Sequence, residues 1–204
     1  MGFYSRVVFP RLMTVMMESE PIAEQRRHVL EDVRGDVLEI GFGTGLNLPH
    51  YPTELRGLTA IDANPGMMGP ARRRMEESEI QVRYELLDGQ QLSMPDASFD
   101  CVVSTWTLCS IPDVDRALDE VFRVLRPEGK FHFIEHGLAP DEGVQKWQRR
   151  IEPLNKVLAC GCHLTRNFEQ LISRRFRFAD LHKFYQRKEP RFAGYMYRGV
   201  ATKA

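Results

Sequence analysis

Four cysteines in 204 residues are too few, and too unevenly placed, to staple a fold together. Cys101 falls inside an apolar run, with Cys109 just beyond it, and Cys160 and Cys162 are separated by one residue. No C-x-x-C pair exists, so the spacing matches no standard zinc site and none is expected. A Cys160–Cys162 redox pair is the lesser alternative. The apolar stretch Met1 to Met17 is interrupted by Arg6, Pro10 and Arg11, too short and too charged for a membrane span. It also lacks the small-residue cleavage site of a secretory leader, so a cytoplasmic location is expected. Repeats and low-complexity tracts are absent. Net charge is zero, 28 Lys+Arg against 28 Asp+Glu, which removes a whole-molecule electrostatic role.

The charge is nonetheless uneven. Residues 144–204 hold 14 Lys+Arg and 4 Asp+Glu, a net of +10 that residues 1–143 balance. That basic third could draw an anionic substrate or lipid head groups, although a solvated helix face is the plainer reading. Phe176, Phe178, Phe184 and Tyr185 alternate with its basic residues as one buried strand face, so nucleic acid is not an expected partner. A small molecule is. Oligomeric state is left open.

At this length one domain is expected. An amphipathic helix is predicted over 20–33, after an apolar segment broken at Pro10. From Asp36 strand and helix patterns alternate. Strands are predicted at 36–41, 57–62, 80–86, 99–105 and 129–135, with helices at 45–50, 65–77, 113–125 and 142–158. Such alternation implies an α/β, doubly wound, mostly parallel sheet covered on both faces. After a helix near 166–175, Phe176–Tyr185 and Phe192–Thr202 read as a C-terminal antiparallel hairpin.

The richest stretch is Val37-Leu-Glu-Ile-Gly-Phe-Gly-Thr-Gly-Leu46. A buried strand runs into a side-chain-free turn, where backbone N–H groups can approach a ligand closely. Asp62 closes the next apolar run, placed to accept hydrogen bonds from a ribose. Gly41, Gly43 and Gly45 make G-x-G-x-G; the dinucleotide pattern would need glycine or alanine at Leu46. Asp88-Gly89 follows the third strand, either as an ordinary turn or as a carboxylate beside an adenine. Leu118–Lys130 reads as a helix ending before Pro127, with a Pro-Glu-Gly turn into the fifth strand.

Together with Glu39, Phe99–Val103 and Arg123–Gly129, these motifs resemble the type 11 class I S-adenosylmethionine (SAM) methyltransferases across residues 36–136. A narrower resemblance adds Leu108-Cys-Ser-Ile111, Phe133-Ile-Glu-His136, Trp147 and Gly161-Cys-His-Leu-Thr-Arg166. These look like the branch holding the microsomal alkyl-thiol methyltransferases and their bacterial relatives. The resemblance implies a seven-stranded sheet and SAM as cofactor. Gly41, Gly43 and Gly45 would line its methionine portion, and Glu39 and Asn47 would bind the cofactor with them. Asp62 and Ala63 would meet the ribose, Asp88 and Gly89 the adenine, and Thr105 the cofactor's reactive side. The mammalian members carry an N-terminal membrane anchor, whereas this chain opens almost directly on the domain. No integral membrane segment is therefore expected, and peripheral contact at most.

For the acceptor, a thiol is favoured, because it is partly ionised near neutral pH and needs little activation. The alternatives are a lipid amine, a quinone precursor, or a silent SAM-binding partner subunit. Leu108 and Cys109, beyond the fourth strand, are expected against the acceptor with Tyr4 and Arg166. His136, ending the fifth strand, is the candidate general base, while His163 reads as packing. The expected division is a helical lid over 1–33, a cofactor-binding core over 36–136 and a substrate side over 137–204.

Overall fold

Each strand predicted from Asp36 onward has a strand in its place in the computed structural model, which describes residues 2–203. The strands are β1 (Asp36–Ile40), β2 (Gly57–Asp62), β3 (Val82–Leu86), β4 (Phe99–Thr105), β5 (Leu125–His136), β6 (Arg177–Tyr185) and β7 (Tyr195–Thr202). They form one sheet in the order β3-β2-β1-β4-β5-β7-β6. The first five are parallel, and β7 runs antiparallel to both β5 and β6. The order reverses between β1 and β4, which opens a crevice at their carboxyl ends.

Alternation along each strand divides the core between the two faces. Val37, Cys101, Val103 and Ile134 share one side with Val29 and Leu30 of helix α2 (Glu20–Leu30). Leu38, Val102, Phe131 and Phe133 face the other, under helix α4 (Val114–Val124). Asp113 caps α4 by accepting from the Arg116 N–H at 3.0 Å, and Ala117, Leu118, Val121 and Val124 bury its apolar stripe. Leu125 then turns extended as the C-cap of α4, and Pro127 keeps Arg126 before it extended as well. The expected Pro-Glu-Gly turn is absorbed into β5 as an irregularity: Glu128 has φ +63°, and the β4–β5 register shifts between Phe99 and Cys101.

The remaining helices are α1 (Phe9–Met17), α3 (Met68–Glu77), α5 (Glu142–Leu158) and α6 (Phe168–Ser173). Two further segments differ from expectation. Pro10 does not break the N-terminal segment: it is the second residue of α1, and the backbone is helical on both sides of it. A wider π turn, Tyr4–Val8, leads into it. The helix expected over 45–50 is a single 3-10 turn, Leu48–His50. Among the described residues, no helix is long and apolar enough to cross a membrane.

Packing also creates a pH dependence. His132 on β5 is fully buried, its Nδ1 3.0 Å from the Val29 carbonyl, and burial lowers its pKa to about 4. The unfolded chain therefore binds this proton near pH 6.5 while the native protein stays neutral. Stability is full above that range and falls as pH drops toward 4, by on the order of 3 kcal/mol from this group. Urea midpoints at several pH values should fall less steeply with acid in His132→Asn. An identical acid slope in both proteins would remove His132 as the cause.

Candidate active site

The crevice widens into a cavity of about 590 Å³. Its floor is the loop leaving β1. Gly41 and Phe42 donate their N–H groups to the Ile61 carbonyl at 2.9 Å, turning the chain sharply across β2. Gly41 has φ +77°, and a Cβ there would lie 2.0 Å from Thr107 Oγ1, so no other residue fits. Gly43 faces open space; its nearest neighbour to an added Cβ is the Gly41 oxygen at 3.9 Å.

Asp62 locks this loop. Its carboxylate accepts from the Gly43 N–H at 2.8 Å and the Asn64 N–H at 2.7 Å. Burial raises its pKa, opposed by those two bonds. Ala63, Asp88, Gly89 and Thr105 share the cavity wall with Gly41, Gly43 and Asp62. Asp88 accepts from the Gln90 N–H at 2.9 Å. A Cβ on Gly89 would press on Ile40 Cγ2 at 2.9 Å, so the chain here passes tight against the end of β1.

Glu39, Gly45 and Asn47 do not line the cavity; they lie beneath it. Glu39 is buried and accepts from Asn47 Nδ2 at 2.7 Å and Tyr51 Oη at 2.8 Å. Burial pushes its pKa up to about 7 against those bonds. Asn47 also donates to Thr105 Oγ1 at 3.0 Å and accepts from Arg26 NH1 at 2.6 Å. This network joins the β1 loop, the end of β4 and α2. Arg26 reaches the cavity wall with its Nε buried and unpartnered, its pKa lowered to about 10 by that burial.

The opposite wall leaves β4 through Thr105, Trp106 and Thr107. Trp106 has φ +51°, an uncommon conformation for a bulky residue, held by its N–H to the Ile134 carbonyl at 2.8 Å. Leu108 and Cys109 then turn inward and are almost wholly buried. The cause is Glu135 at the end of β5. It accepts from Ser104 Oγ at 2.8 Å and from the N–H groups of Thr107, Leu108 and Cys109 at 3.0, 2.9 and 3.1 Å. Arg166 holds the same loop from behind, donating to the carbonyls of Leu108, Ile111 (2.6 Å) and Pro112 (3.1 Å).

His136 lies outside the cavity lining, with Nε2 3.0 Å from Cys162 Sγ. Burial works against its charged form, but the neighbouring Cys109 and Glu135 outweigh that and raise its pKa. Cys109 has its thiol pushed well up by Cys162 beside it and by burial. Tyr4 also lies off the lining and donates to the Leu158 carbonyl at 2.7 Å. The segment it belongs to closes the cavity with Ser5, Phe9, Met13 and Met17. Asn64 Nδ2 binds the Ser5 carbonyl at 2.7 Å, fastening that segment over Asp62.

Three site residues carried no assigned role at the sequence level. Glu135 had a signal, an acid placed directly after the run Phe131–Ile134 at the end of a buried strand. Arg26 had a weaker one, since it shares a helical face with Ile22, Val29 and Leu30. Trp106 had none.

Residues 38–133 match the family model described as a methyltransferase domain. The chain is 36% identical over 177 residues to thiol S-methyltransferase TMT1B of Rattus norvegicus, covering 79% of this chain and 71% of that protein. This chain belongs to the class I SAM-dependent methyltransferases. It is also 37% identical over 111 residues to a phosphatidylethanolamine N-methyltransferase of Cereibacter sphaeroides, covering 53% of this chain and 54% of that one. The fold of the methyltransferase is shared with N-methyltransferase NodS from Bradyrhizobium japonicum WM9, solved with S-adenosyl-L-homocysteine. The TM-score is 0.70 at 16% identity, covering 93% of this chain and 90% of that one.

The enzyme's cofactor is SAM, and the residues present fit it. Gly43 leaves a cradle that a side chain would fill, Asp62 offers a fixed carboxylate, and Arg26 offers a cation whose Nε has no partner. A ligand carrying both a ribose and an amino acid calls for such a set.

Proposed function

We propose that this methyltransferase acts on a small apolar thiol. The observation that carries the reading is the 36% identity to a thiol S-methyltransferase over 79% of the chain, against 53% for the lipid-amine relative. The lining supports it: Phe9, Met13, Met17, Trp106 and Ile111 give the acceptor side an apolar and adaptable surface.

Asp62 accepts the ribose hydroxyls, while Asp88 takes the adenine amine. The Gly41–Gly43 turn gives the methionine portion room, and Arg26 meets its carboxylate. Ala63 and Gly89 border the nucleoside, and Thr105 the reacting end. Glu39, Gly45 and Asn47 keep that loop in place from below. When bound, SAM supplies an electrophilic methyl group on a sulfonium. The chain's task is to hold an acceptor sulfur in line with it and exclude water, and positioning of that kind is worth roughly 7–11 kcal/mol.

A thiol of pKa about 8.5 is already a few per cent thiolate at pH 7, and its proton leaves to solvent. His136 meets the cysteines rather than the cavity, so in this reading it stands behind the acceptor-side wall, where Arg166 and the buried Leu108 and Cys109 support the lining from outside. The N-terminal segment, tied down by Tyr4 and Asn64, is the lid. Its outer face exposes Phe3, Leu12, Val15 and Met16, a surface suited to apolar acceptors arriving from a membrane.

The test is a series of alkyl and aryl thiols, run beside phosphatidylethanolamine vesicles and a demethylated quinol. Thiols should turn over without vesicles. Their kcat/KM should climb with chain length until the pocket fills, each buried methylene contributing about 0.8 kcal/mol. Turnover confined to the vesicles or the quinol would discard the thiol and leave the methyltransferase standing.

A further inference from the structure

Three side chains with no part in holding cofactor or acceptor meet behind the acceptor-side wall. Cys109 leaves the β4 loop, His136 ends β5 and Cys162 follows α5. Their ligand atoms, two sulfurs and a ring nitrogen, all lie within 4.8 Å of one another. Among the described residues, no other three such groups gather this closely. We propose that Cys109, His136 and Cys162 form a binding site for one zinc ion.

The geometry suits that ion. With Zn–S near 2.3 Å and Zn–N near 2.0 Å, the ligand atoms of a tetrahedral site stand roughly 3.5–3.8 Å apart. Cys162 Sγ and His136 Nε2, at 3.0 Å, need separate only slightly, within reach of small side-chain rotations. Thiolate and imidazole select zinc over magnesium or calcium, which require oxygen. Three protein ligands leave the fourth position to a solvent oxygen.

The ligands are held in place without the metal. The Cys109 N–H is fixed on Glu135 at 3.1 Å, and the Cys109 carbonyl accepts from the His163 N–H at 2.8 Å. The Cys162 carbonyl accepts from Asn155 Nδ2 at 2.9 Å. Preorganisation of this kind orients first ligands and lowers the cost of binding. Charge favours it too. Two thiols become two thiolates, both protons pass to solvent, and the thiolates cancel the ion's charge in a buried place.

The ion would cross-link two segments that both border the cavity. Thr107, Ser110 and Ile111 flank Cys109, and Cys160 and Gly161 precede Cys162. The site thereby stiffens the acceptor-side wall, whichever acceptor the enzyme takes.

The test uses full-length protein, reduced and kept anaerobic, titrated with Zn²⁺ against a chromophoric chelator and separately with Co²⁺. One equivalent of Zn²⁺ should bind with release of protons. The Co²⁺ form should show thiolate-to-cobalt charge transfer with tetrahedral d–d bands. Cys109→Ala and Cys162→Ala should each weaken Zn²⁺ by more than about 10²-fold, the upper range for losing even an outer-shell partner. Cys160→Ala should leave Zn²⁺ affinity unchanged. If the cysteine variants fail to fold, the wild-type cobalt spectrum decides alone, and a weak octahedral spectrum overturns the site. So does reduced protein that binds no Zn²⁺ but closes a Cys109–Cys162 disulfide in air. Zn²⁺ binding that survives both alanine variants overturns it as well.

Discussion

Glu135→Leu is expected to destabilise the protein by about 3–5 kcal/mol, read as a lower urea midpoint with an unchanged m-value. The carboxylate is fully buried and serves four donors: the Ser104 hydroxyl and three consecutive N–H groups of the Thr107–Cys109 turn. Leucine matches its bulk and accepts nothing. Four buried donors then lose their partner at once, and each unsatisfied polar group costs about 1–3 kcal/mol before relaxation. Relaxation has limits here, because Arg166 still holds the Leu108, Ile111 and Pro112 carbonyls from the other side. The damage should therefore reach function, with the acceptor KM rising more than the cofactor Kd. Glu135→Gln, which retains one acceptor oxygen, should fall between the two proteins. A loss below about 1 kcal/mol in Glu135→Leu would show that Arg166 alone shapes the turn.

Asp62→Ala should weaken S-adenosyl-L-homocysteine binding by about 100-fold, on the order of 3 kcal/mol, measured by titration calorimetry. Two effects combine. On the proposed reading the ribose hydroxyls lose a charged acceptor, and the Gly43 and Asn64 N–H groups lose the side chain that positions the loop. Asp62→Asn restores much of the shape but not the charge, so its affinity should recover only in part. The melting temperature without ligand should move little, since the freed N–H groups face a cavity that water can enter. An unchanged Kd in Asp62→Ala would mean that another acid, Asp88 foremost, takes the ribose.

Much of this molecule was legible in advance because its signals are local. Val37–Ile40, Leu58–Ile61 and Cys101–Val103 are short, mostly apolar and β-branched runs, and their length together with the turn residues around them marks them as buried strands. Asp113 and Pro127 bracket α4 through contacts within a few residues. The glycine loop is equally local: Gly41 and Gly43 take positive φ at little cost because they carry no Cβ, and Asp62 ends the strand beside them. From such features sequence alone determined the sheet, its C-terminal antiparallel pair and the strand-end crevice where the glycine loop meets Asp62. Tertiary structure decided what no local signal encodes. It placed Glu39 and Asn47 beneath the cavity rather than on it, and kept the N-terminal segment helical through Pro10. It also used Arg166 as a clamp on three carbonyls and drew Cys109, His136 and Cys162 together from three separate segments. Those outcomes depend on which side chains find partners once strands have paired, and a buried polar group goes where its hydrogen bonds can be met. Chain spacing carries no record of that choice.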